Sequence, residues 1–395
     1  MKIGILTFHA QTNYGGVLQA VALAEVLKSI GHEVFIFNKR MVRDYDGLAP
    51  IRPPKDFIGF LKYLFRLPLA LGDFSETFRR AKTREFLKNH VCFSPYEFYE
   101  WSEIKAKIDA DLIVVGSDQV WRCVGDGLDP RPYFLDGAPK DIPAIAYAAS
   151  IGMQEIPEKF KPWYAEGLRR FSAISCREER AAEIVRSFGF PAEHVVDPTL
   201  LNAERFADEY PSTVSGDRKL VCYFVHTHLS EALPILKKFA KREKCKVEVY
   251  QAVSYRNFPR GDLKSLLREL TLPLRMLVGG VRFMSKAGPE DFLKAMSSAT
   301  WVITDSFHGT MFSTIFRRNF RVLSPQDELA SGMFHRMREF VGECVSGEVF
   351  ISDLADAVRS LAQEPEPVFD EIAIARKIKF SRDWLRNAVG VELKR

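Results

Sequence analysis

The residues best suited to chemistry lie in one short segment, where polar side chains follow an apolar run. The run Trp301–Thr304 is followed by Asp305, Ser306, His308 and Thr310. An ordinary histidine titrates near neutral pH, so His308 is the side chain of this group that suits proton transfer. The carboxylate and the hydroxyl groups suit binding of a polar or charged ligand. The segment therefore predicts a site of acid–base chemistry.

The pattern around these residues predicts a buried strand, a short loop and a helix. In open α/β sheets, ligands bind beyond the carboxyl ends of the strands, beside helix N-termini that attract phosphate or carboxylate. Gly309 would let the backbone approach such a ligand closely. Asp305 and His308 could act as an acid and base pair. The alternative is that Ser306 and His308 only cap the helix, and that Asp305 only holds the loop through a backbone bond.

The composition is that of a globular protein with more than one core. The chain has 395 residues, of which 47% are hydrophobic and 12% aromatic, which suffices for two domains. Lys and Arg exceed Asp and Glu by 56 to 51, too small an excess to predict nucleic acid as a partner. Six cysteines are widely spaced, without a CxxC pair, so we predict reduced cysteines and no metal site.

The N-terminus and one basic segment bear on location. The chain enters a strand directly, without the regions of a signal peptide, which predicts a cytoplasmic protein. The most apolar window, residues 57–71, is shorter than the ~20 residues of a spanning helix and carries Lys62 and Arg66. Basic and aromatic residues alternate over residues 51–90. This favours either peripheral contact with the inner face of the cytoplasmic membrane or a helical hairpin packed on the domain core.

Strand-like and helix-like segments alternate along the chain. A strand at 3–8 is followed by a loop at 13–16 and a helix at 17–30. Further strands are expected at 33–38, 111–115, 144–148, 173–176, 220–225, 247–251, 301–304 and, as the last edge, 321–323. Uninterrupted apolar strands fit parallel sheets that are covered on both faces.

These segments predict two doubly wound, Rossmann-like α/β domains that face each other across a cleft. The first would span residues 1–210, with a basic helical insertion at about 51–100, and the second residues 211–370. A polar stretch at 210–219 would link them. Residues 371–395 would form a helix that crosses back onto the first domain.

Several common motifs are missing from the sequence. The segment NYGG at residues 13–16 is not GxGxxG, and GxxxxGK[ST] does not occur, so the patterns support neither an NAD nor an ATP enzyme. There is no GxSxG elbow, and no cysteine nucleophile lies at a recognisable spacing from His308.

Four motifs in a fixed order carry a resemblance to a known family. They are TNYGGVLQA at residues 12–20, VGSDQVW at 115–121, ISCRE at 174–178 with VDPTL at 196–200, and TDSFHGT at 304–310. In this order they resemble the polysaccharide pyruvyl transferase family, over about residues 3–340.

The resemblance implies a two-domain fold similar to that of glycosyltransferase B and a specific reaction. A pyruvyl group would pass from phosphoenolpyruvate to two hydroxyls of a sugar, giving a cyclic ketal and free phosphate. Phosphoenolpyruvate would be a co-substrate, with no cofactor and no metal. The acceptor would belong to surface or capsular polysaccharide biosynthesis and could be linked to polyprenyl diphosphate.

The resemblance also suggests which residues bind the donor. Phosphoenolpyruvate carries a phosphate and a carboxylate, which arginines and backbone N–H groups recognise. Arg177 and Arg336 are the predicted arginines, although the surroundings of Arg336 depart from the family pattern. Ser306, Gly309 and Thr310 would add donors. His308 would protonate the methylene carbon of the donor, and Asp305 or Asp118 would take protons from the attacking hydroxyls.

The predicted acceptor side of the cleft lies in the first domain. It comprises Asn13, Tyr14, Gly15, Gly16, Asp118 and Trp121. For the residues at 13–16, loop geometry is the alternative role. Trp121 could stack on a sugar ring or belong to the core.

Two other functions remain open at this point. The first is a glycosyltransferase of the same architecture that uses a nucleotide sugar, but the second domain shows no clear base-stacking pocket or ribose-binding carboxylate. The second is a non-catalytic protein of polysaccharide assembly, which loss of His308 or Arg177 would have favoured. Both residues are present.

Overall fold

Two parallel sheets account for most of the residues that the computed structural model describes. The described residues are 1–9, 13–40, 77–123, 129–212, 218–251, 280–324 and 328–392. Thr12 of the first motif and residues 51–76 of the predicted membrane-contacting segment lie outside them.

The first sheet has seven parallel strands: β1 (Lys2–Leu6), β2 (Glu33–Lys39), β3 (Cys92–Phe98), β4 (Leu112–Val115), β5 (Ala144–Ala149), β6 (Ala173–Cys176) and β7 (Glu193–His194). Their order is β3-β2-β1-β4-β5-β6-β7. Every residue of β4 and β5 is buried, as expected for strands covered by helices on both faces. The helices of this part are α1 (Tyr14–Ser29), α2 (residues 77–90), α3 (Lys161–Leu168), α4 (Glu179–Ser187), α5 (Pro198–Leu201) and α6 (Ala203–Glu209).

The second sheet repeats this plan with six parallel strands. Its strands are β8 (Lys219–Phe224), β9 (Lys246–Gln251), β10 (Val281–Phe283), β11 (Trp301–Thr304), β12 (Asn319–Leu323) and β14 (Phe350–Ile351), in the order β10-β9-β8-β11-β12-β14. A small antiparallel pair joins β13 (Val345–Ser346) to β15 (Val368–Phe369). The helices are α7 (Leu229–Glu243), α8 (Pro289–Ser297), α9 (Phe307–Ile315), α10 (Glu328–Cys344), α11 (Leu354–Gln363) and α12 (Glu371–Glu392).

The predicted fold class, two doubly wound α/β units, is confirmed, and two local predictions are wrong. The segment at 13–16 is not a loop: Asn13 caps α1, its Oδ1 accepts from Gly15 N at 3.0 Å, and the helix begins at Tyr14. The strand at 321–323 is not the edge, because β14 pairs with Val322 and Leu323. A strand of two residues is too short to show the alternation of apolar and polar residues by which a strand is recognised in a sequence.

In each sheet the strand order reverses between two central strands. These are β1 and β4 in the first sheet and β8 and β11 in the second. Ligands of open α/β sheets bind at the carboxyl ends of the strands at such a switch point. Asp118 follows β4 and His308 follows β11, so the topology assigns both residues to switch points.

Helices α1 and α2 pack the first unit against the second. Tyr14 stacks on Phe292 of α8, with ring centroids 4.8 Å apart, and donates a hydrogen bond to the Ala287 carbonyl at 3.0 Å. The side chains of both units belong to one continuous apolar core. From α2, Lys82 pairs with Asp291 at 2.7 Å. The units are therefore in contact along α1 rather than separated by an open cleft there.

The last helix, α12, touches both units. Its Glu371 pairs with Arg317, whose Nε lies 2.6 Å from the carboxylate. Its Ser381 accepts a hydrogen bond from Val196 N at 3.0 Å in the first unit. None of the helices among the described residues combines the length and apolar character needed to cross a membrane.

Candidate active site

The N-termini of helices from both units meet at His308. The ring of His308, in the first turn of α9, packs on Gly15 in the first turn of α1: a Cβ at position 15 would lie 2.0 Å from His308 Nδ1. His308 Nε2 lies 3.7 Å from Oδ2 of Asp197, the residue that caps α5. The histidine is 5% exposed. The residue predicted to transfer protons is therefore enclosed by residues of the opposite unit.

Asp197 places a buried carboxylate beside this histidine, a role that its place in the sequence does not predict. Its Oδ1 accepts from the Thr199 amide at 3.0 Å and the Thr199 hydroxyl at 2.8 Å, which leaves Oδ2 facing the site. Burial alone would raise the pKa of Asp197, but His308 and Arg177 outweigh burial and hold that pKa well below its usual range. The Asp-Pro-Thr sequence is a helix-start signal, so in the sequence it indicates only a cap.

Arg177 joins Asp197 to Asp118. Its Nη1 donates to Asp197 Oδ2 at 3.0 Å, and its Nη2 donates to Asp118 Oδ1 at 3.2 Å. Burial would lower the pKa of Arg177, but the two carboxylates raise it above its ordinary value. Burial would likewise raise the pKa of Asp118, and Arg177 with His308 lowers it. All three groups are thus held ionised near neutral pH.

Arg336 is a second buried guanidinium in the same place. Arg177 and Arg336 lie over the ring of Phe307, at 4.6 Å and 5.0 Å from its centroid. Arg336 Nη1 donates to Ser150 Oγ at 3.2 Å. Burial and the positive charge of Arg177 lower the pKa of Arg336 to about 10, although Glu178 acts in the opposite direction. An anion bound beside Arg336 would stabilise its charge.

Three buried nitrogens close to Phe307 have no hydrogen-bond partner among the described residues: Arg177 Nε, Arg336 Nε and His308 Nε2. Buried polar groups in proteins are nearly always hydrogen-bonded. Together the three suit a small anion with several oxygen atoms. Across the same described ranges, no three His, Cys, Asp or Glu side chains are grouped so that they could hold a metal ion.

Asp305 has a different environment from the one expected of a catalytic base. Its carboxylate accepts hydrogen bonds from the amides of Val225, His226 and Thr227, at 2.5, 3.0 and 2.7 Å, and from the Thr227 hydroxyl at 2.7 Å. Both oxygens are therefore engaged by the loop after β8. The structure favours the loop-holding alternative, and we leave Asp305 out of the proton transfer.

The other predicted donor-binding residues of this segment are buried and differ in their contacts. Ser306 precedes α9 and is 6% exposed. A Cβ at Gly309 would lie 2.1 Å from Thr304 Oγ1, so the glycine allows α9 to pack closely on β11. Thr310 is fully buried, and its hydroxyl donates to the Ser306 carbonyl at 3.2 Å. Both residues thus contribute to packing of the helix, and a role for either in donor binding stays a prediction.

Some of the predicted acceptor residues border the site, and others are buried in contacts within the protein. Asn13 accepts a hydrogen bond from the Tyr223 hydroxyl at 3.0 Å, which links α1 to β8 of the second unit. Gly15 borders His308, as described above, and the Gly16 carbonyl accepts from Gln19 Nε2 at 2.9 Å. Tyr14 is buried in the contact between the units. The prediction that Tyr14 faces an acceptor is therefore wrong.

Trp121 belongs to the core of the first unit. It is fully buried, stacks on Phe134 with centroids 5.2 Å apart, and its Nε1 donates to the Tyr133 carbonyl at 3.4 Å. A ring without exposed surface cannot stack on a sugar, so the prediction for Trp121 is wrong and the core alternative holds. Aromatic type and position do not distinguish the two roles in a sequence.

Gln19 holds the loop that carries Asp118. Its Nε2 donates to Thr7 Oγ1 at 2.9 Å, and its Oε1 accepts from Ser117 N at 3.0 Å. Ser117 Oγ in turn lies 3.3 Å from Asp197 Oδ2. The side chain therefore joins the ends of β1 and β4 to α1 and keeps Asp118 and Asp197 in place.

Comparison with solved structures defines the class of fold. UDP-GlcNAc 2-epimerase from Methanocaldococcus jannaschii has 12% identity and a TM-score of 0.55, with 94% of this chain and 95% of that chain covered. UDP-N-acetylglucosamine 2-epimerase from Rickettsia bellii has 10% identity and a TM-score of 0.56, with 98% and 96% covered. At such identities the likeness concerns the fold alone, which is the two-domain α/β fold of glycosyltransferase B type.

The family is shown by sequence. The family model for polysaccharide pyruvyl transferase matches residues 13–327, and the chain belongs to this family. No curated protein matches the sequence. The resemblance drawn from the four motifs is thus confirmed, and with it the prediction that the protein is an enzyme, a transferase of polysaccharide biosynthesis.

Proposed function

We propose that this enzyme transfers a pyruvyl group from phosphoenolpyruvate to two hydroxyls of a sugar, forming a cyclic ketal and releasing phosphate. The observation that carries the proposal is the set of buried nitrogens on Arg177, Arg336 and His308 that find no hydrogen-bond partner in the described part of the chain. Two guanidinium groups and one imidazole suit a donor that bears a phosphate and a carboxylate. Phosphoenolpyruvate is then a co-substrate held by side chains of both units.

The first chemical step in this proposal is protonation of the donor. His308 Nε2 gives a proton to the methylene carbon, and the central carbon becomes an oxocarbenium-like electrophile. A sugar hydroxyl attacks this carbon. The carbon–oxygen bond to phosphate then breaks, and the second hydroxyl attacks to close the ketal. Of the two protons lost by the hydroxyls, one replaces the proton that His308 gave to carbon. The other ends on the released phosphate.

Asp118 is the carboxylate that we assign to accept a hydroxyl proton. Its side chain is 13% exposed, whereas that of Asp197 is fully buried. It also lies in the first unit, on the predicted acceptor side. Asp197 instead keeps its negative charge 3.7 Å from His308 Nε2, where it faces the atom that gives the proton.

The reaction sets two requirements for the acceptor. The two hydroxyls must be close enough for one carbon to bridge them, and the product gains a carboxylate. We propose a sugar of a surface or capsular polysaccharide precursor as acceptor, with a polyprenyl-diphosphate carrier as one form of it. The protein would then work in the cytoplasm at the inner face of the membrane.

Phosphate release tests this function directly. The enzyme is incubated with phosphoenolpyruvate and a panel of galactose-, glucose- and mannosamine-terminated acceptors, and free phosphate and product mass are measured. Release that depends on an acceptor, with a product heavier by C₃H₂O₂, is the expected result. Consumption of a nucleotide sugar in place of phosphoenolpyruvate would overturn the proposal in favour of a glycosyltransferase.

Replacing Arg336 by glutamine is expected to weaken donor binding. Loss of one charge-assisted contact corresponds to about 1.5–3 kcal/mol, or roughly a 10- to 100-fold increase in KM for phosphoenolpyruvate. The KM for the acceptor should change little. Arg338→Gln is the matched control, since Arg338 lies two residues further along the same helix but is exposed. Equal KM values in the two variants would remove Arg336 from the donor site.

Replacing Gly15 by alanine is expected to displace His308. The added Cβ would lie 2.0 Å from Nδ1 and 2.2 Å from Cγ of His308, so the ring must move. A misplaced proton donor typically costs roughly 10- to 100-fold in kcat. Gly342→Ala is the control, because a Cβ there meets nothing within 4 Å. Unchanged kcat in Gly15→Ala would mean that the ring position is not critical.

A further inference from the structure

The outward face of α12 carries exposed apolar side chains. Ile372 is 73% and Phe380 is 48% exposed, and Val368, shortly before the helix, is 66% exposed. Ile372, Arg376 and Phe380 are spaced four residues apart, so they form one stripe along the helix. Large apolar groups in a row on a helix surface mark a surface that contacts another apolar phase.

The charges of this face are mainly basic. Arg376, Lys379 and Arg386 are exposed and share the outward face with one acid, Asp383, which pairs with Lys379 and leaves the two arginines as the excess charge. The acid at the start of the helix, Glu371, is already paired with Arg317. Basic side chains that alternate with apolar ones along a helix lying on a surface are typical of contact with anionic lipid headgroups.

We propose that the face of Ile372, Arg376, Lys379, Phe380 and Arg386 docks the protein on an anionic lipid surface. The apolar side chains enter the boundary of headgroups and acyl chains, while the basic side chains remain among the phosphates. A protein partner would favour an apolar centre with a polar rim, whereas here the two kinds of side chain alternate along the helix.

The inward face of α12 connects this surface to the active site. Ser381 accepts the hydrogen bond from Val196 N, and Arg382 donates to the Leu201 carbonyl at 2.7 Å. These two contacts hold the segment that contains Asp197, on either side of it. A docked helix would therefore keep the catalytic loop at a fixed position relative to the membrane, where a lipid-linked acceptor would be presented.

Vesicle co-sedimentation tests the docking surface without any measurement of catalysis. The full-length protein is mixed with vesicles of phosphatidylcholine alone or of phosphatidylcholine with phosphatidylglycerol. Binding to the mixed vesicles and weaker binding to the neutral ones are expected. The double variant Ile372→Glu/Phe380→Glu should bind the mixed vesicles at least about tenfold less. Arg376→Glu should lose mainly the preference for anionic lipid.

A matched control separates this surface from a general effect of added charge. Tyr96, on β3 of the first unit, is 43% exposed, so Tyr96→Glu also replaces an exposed aromatic side chain by an acid. It should bind vesicles like the wild type, and all variants should show the same thermal unfolding. Undiminished binding by the double variant would overturn the proposal. So would a wild-type dimer that the double variant splits without any vesicle binding, since the face would then join two copies of the chain.

Discussion

Replacing His308 by alanine is expected to lower kcat for phosphate release by about 10²- to 10⁴-fold, the usual contribution of a general acid. The reason is the position of Nε2, which is buried, has no hydrogen-bond partner among the described residues and lies beside two guanidinium groups. Donor binding should be weakened much less than kcat, because Arg177 and Arg336 remain. Steady-state kinetics and calorimetric titration with phosphoenolpyruvate measure the two quantities separately.

Asp197→Asn should reproduce a large part of this loss, because the variant keeps the shape of the side chain but removes the charge 3.7 Å from His308 Nε2. The double variant His308→Ala/Asp197→Asn should be little worse than His308→Ala, since both residues act on the same proton. Asp353→Asn is the control: Asp353 also caps a helix, and asparagine caps equally well. Wild-type kcat in Asp197→Asn would show that Asp197 only caps α5.

Replacing Arg177 by methionine is expected to lower the free energy of unfolding by about 3–5 kcal/mol at pH 7, the usual cost of removing one partner from a buried ion pair. The variant leaves the carboxylates of Asp118 and Asp197 without their shared guanidinium, in surroundings where Asp197 is fully buried. Urea unfolding at several pH values measures the effect. Arg186→Met is the control, because Arg186 forms an exposed pair that contributes about 0–1 kcal/mol.

The loss in Arg177→Met should shrink as the pH falls. In the wild type, the pKa values of Asp118 and Asp197 lie below their ordinary values. Their stabilisation is therefore present above the unfolded pKa of about 3.9 and is lost as the pH falls through the folded values. Without Arg177, only His308 remains as the main opponent of burial, so both pKa values are higher than in the wild type and protonation relieves the uncompensated charge from a higher pH downward. A loss that does not change between pH 7 and pH 5 would contradict this account.

The sequence determined the fold class and the identity of several site residues. A short apolar run with β-branched residues, such as Trp301–Thr304, favours a buried strand, and this strand has the predicted bounds. His308 follows from residue type, because few side chains transfer protons near neutral pH, whereas Arg177, Arg336 and Asp118 follow from the family resemblance that the motifs carry. These properties are local, so they can be recognised without knowledge of the neighbours in space.

Only the tertiary structure decided what each polar side chain contacts. Asp197 and Asp305 both follow a strand end, yet one lies beside His308 and the other is engaged by three loop amides. Trp121 and Tyr14 stand in motifs, yet both are buried. Contacts of this kind join residues that are far apart in the sequence, such as Ser117 and Asp197, which are 80 positions apart. Burial and partner depend on how the two sheets pack, which no local pattern contains.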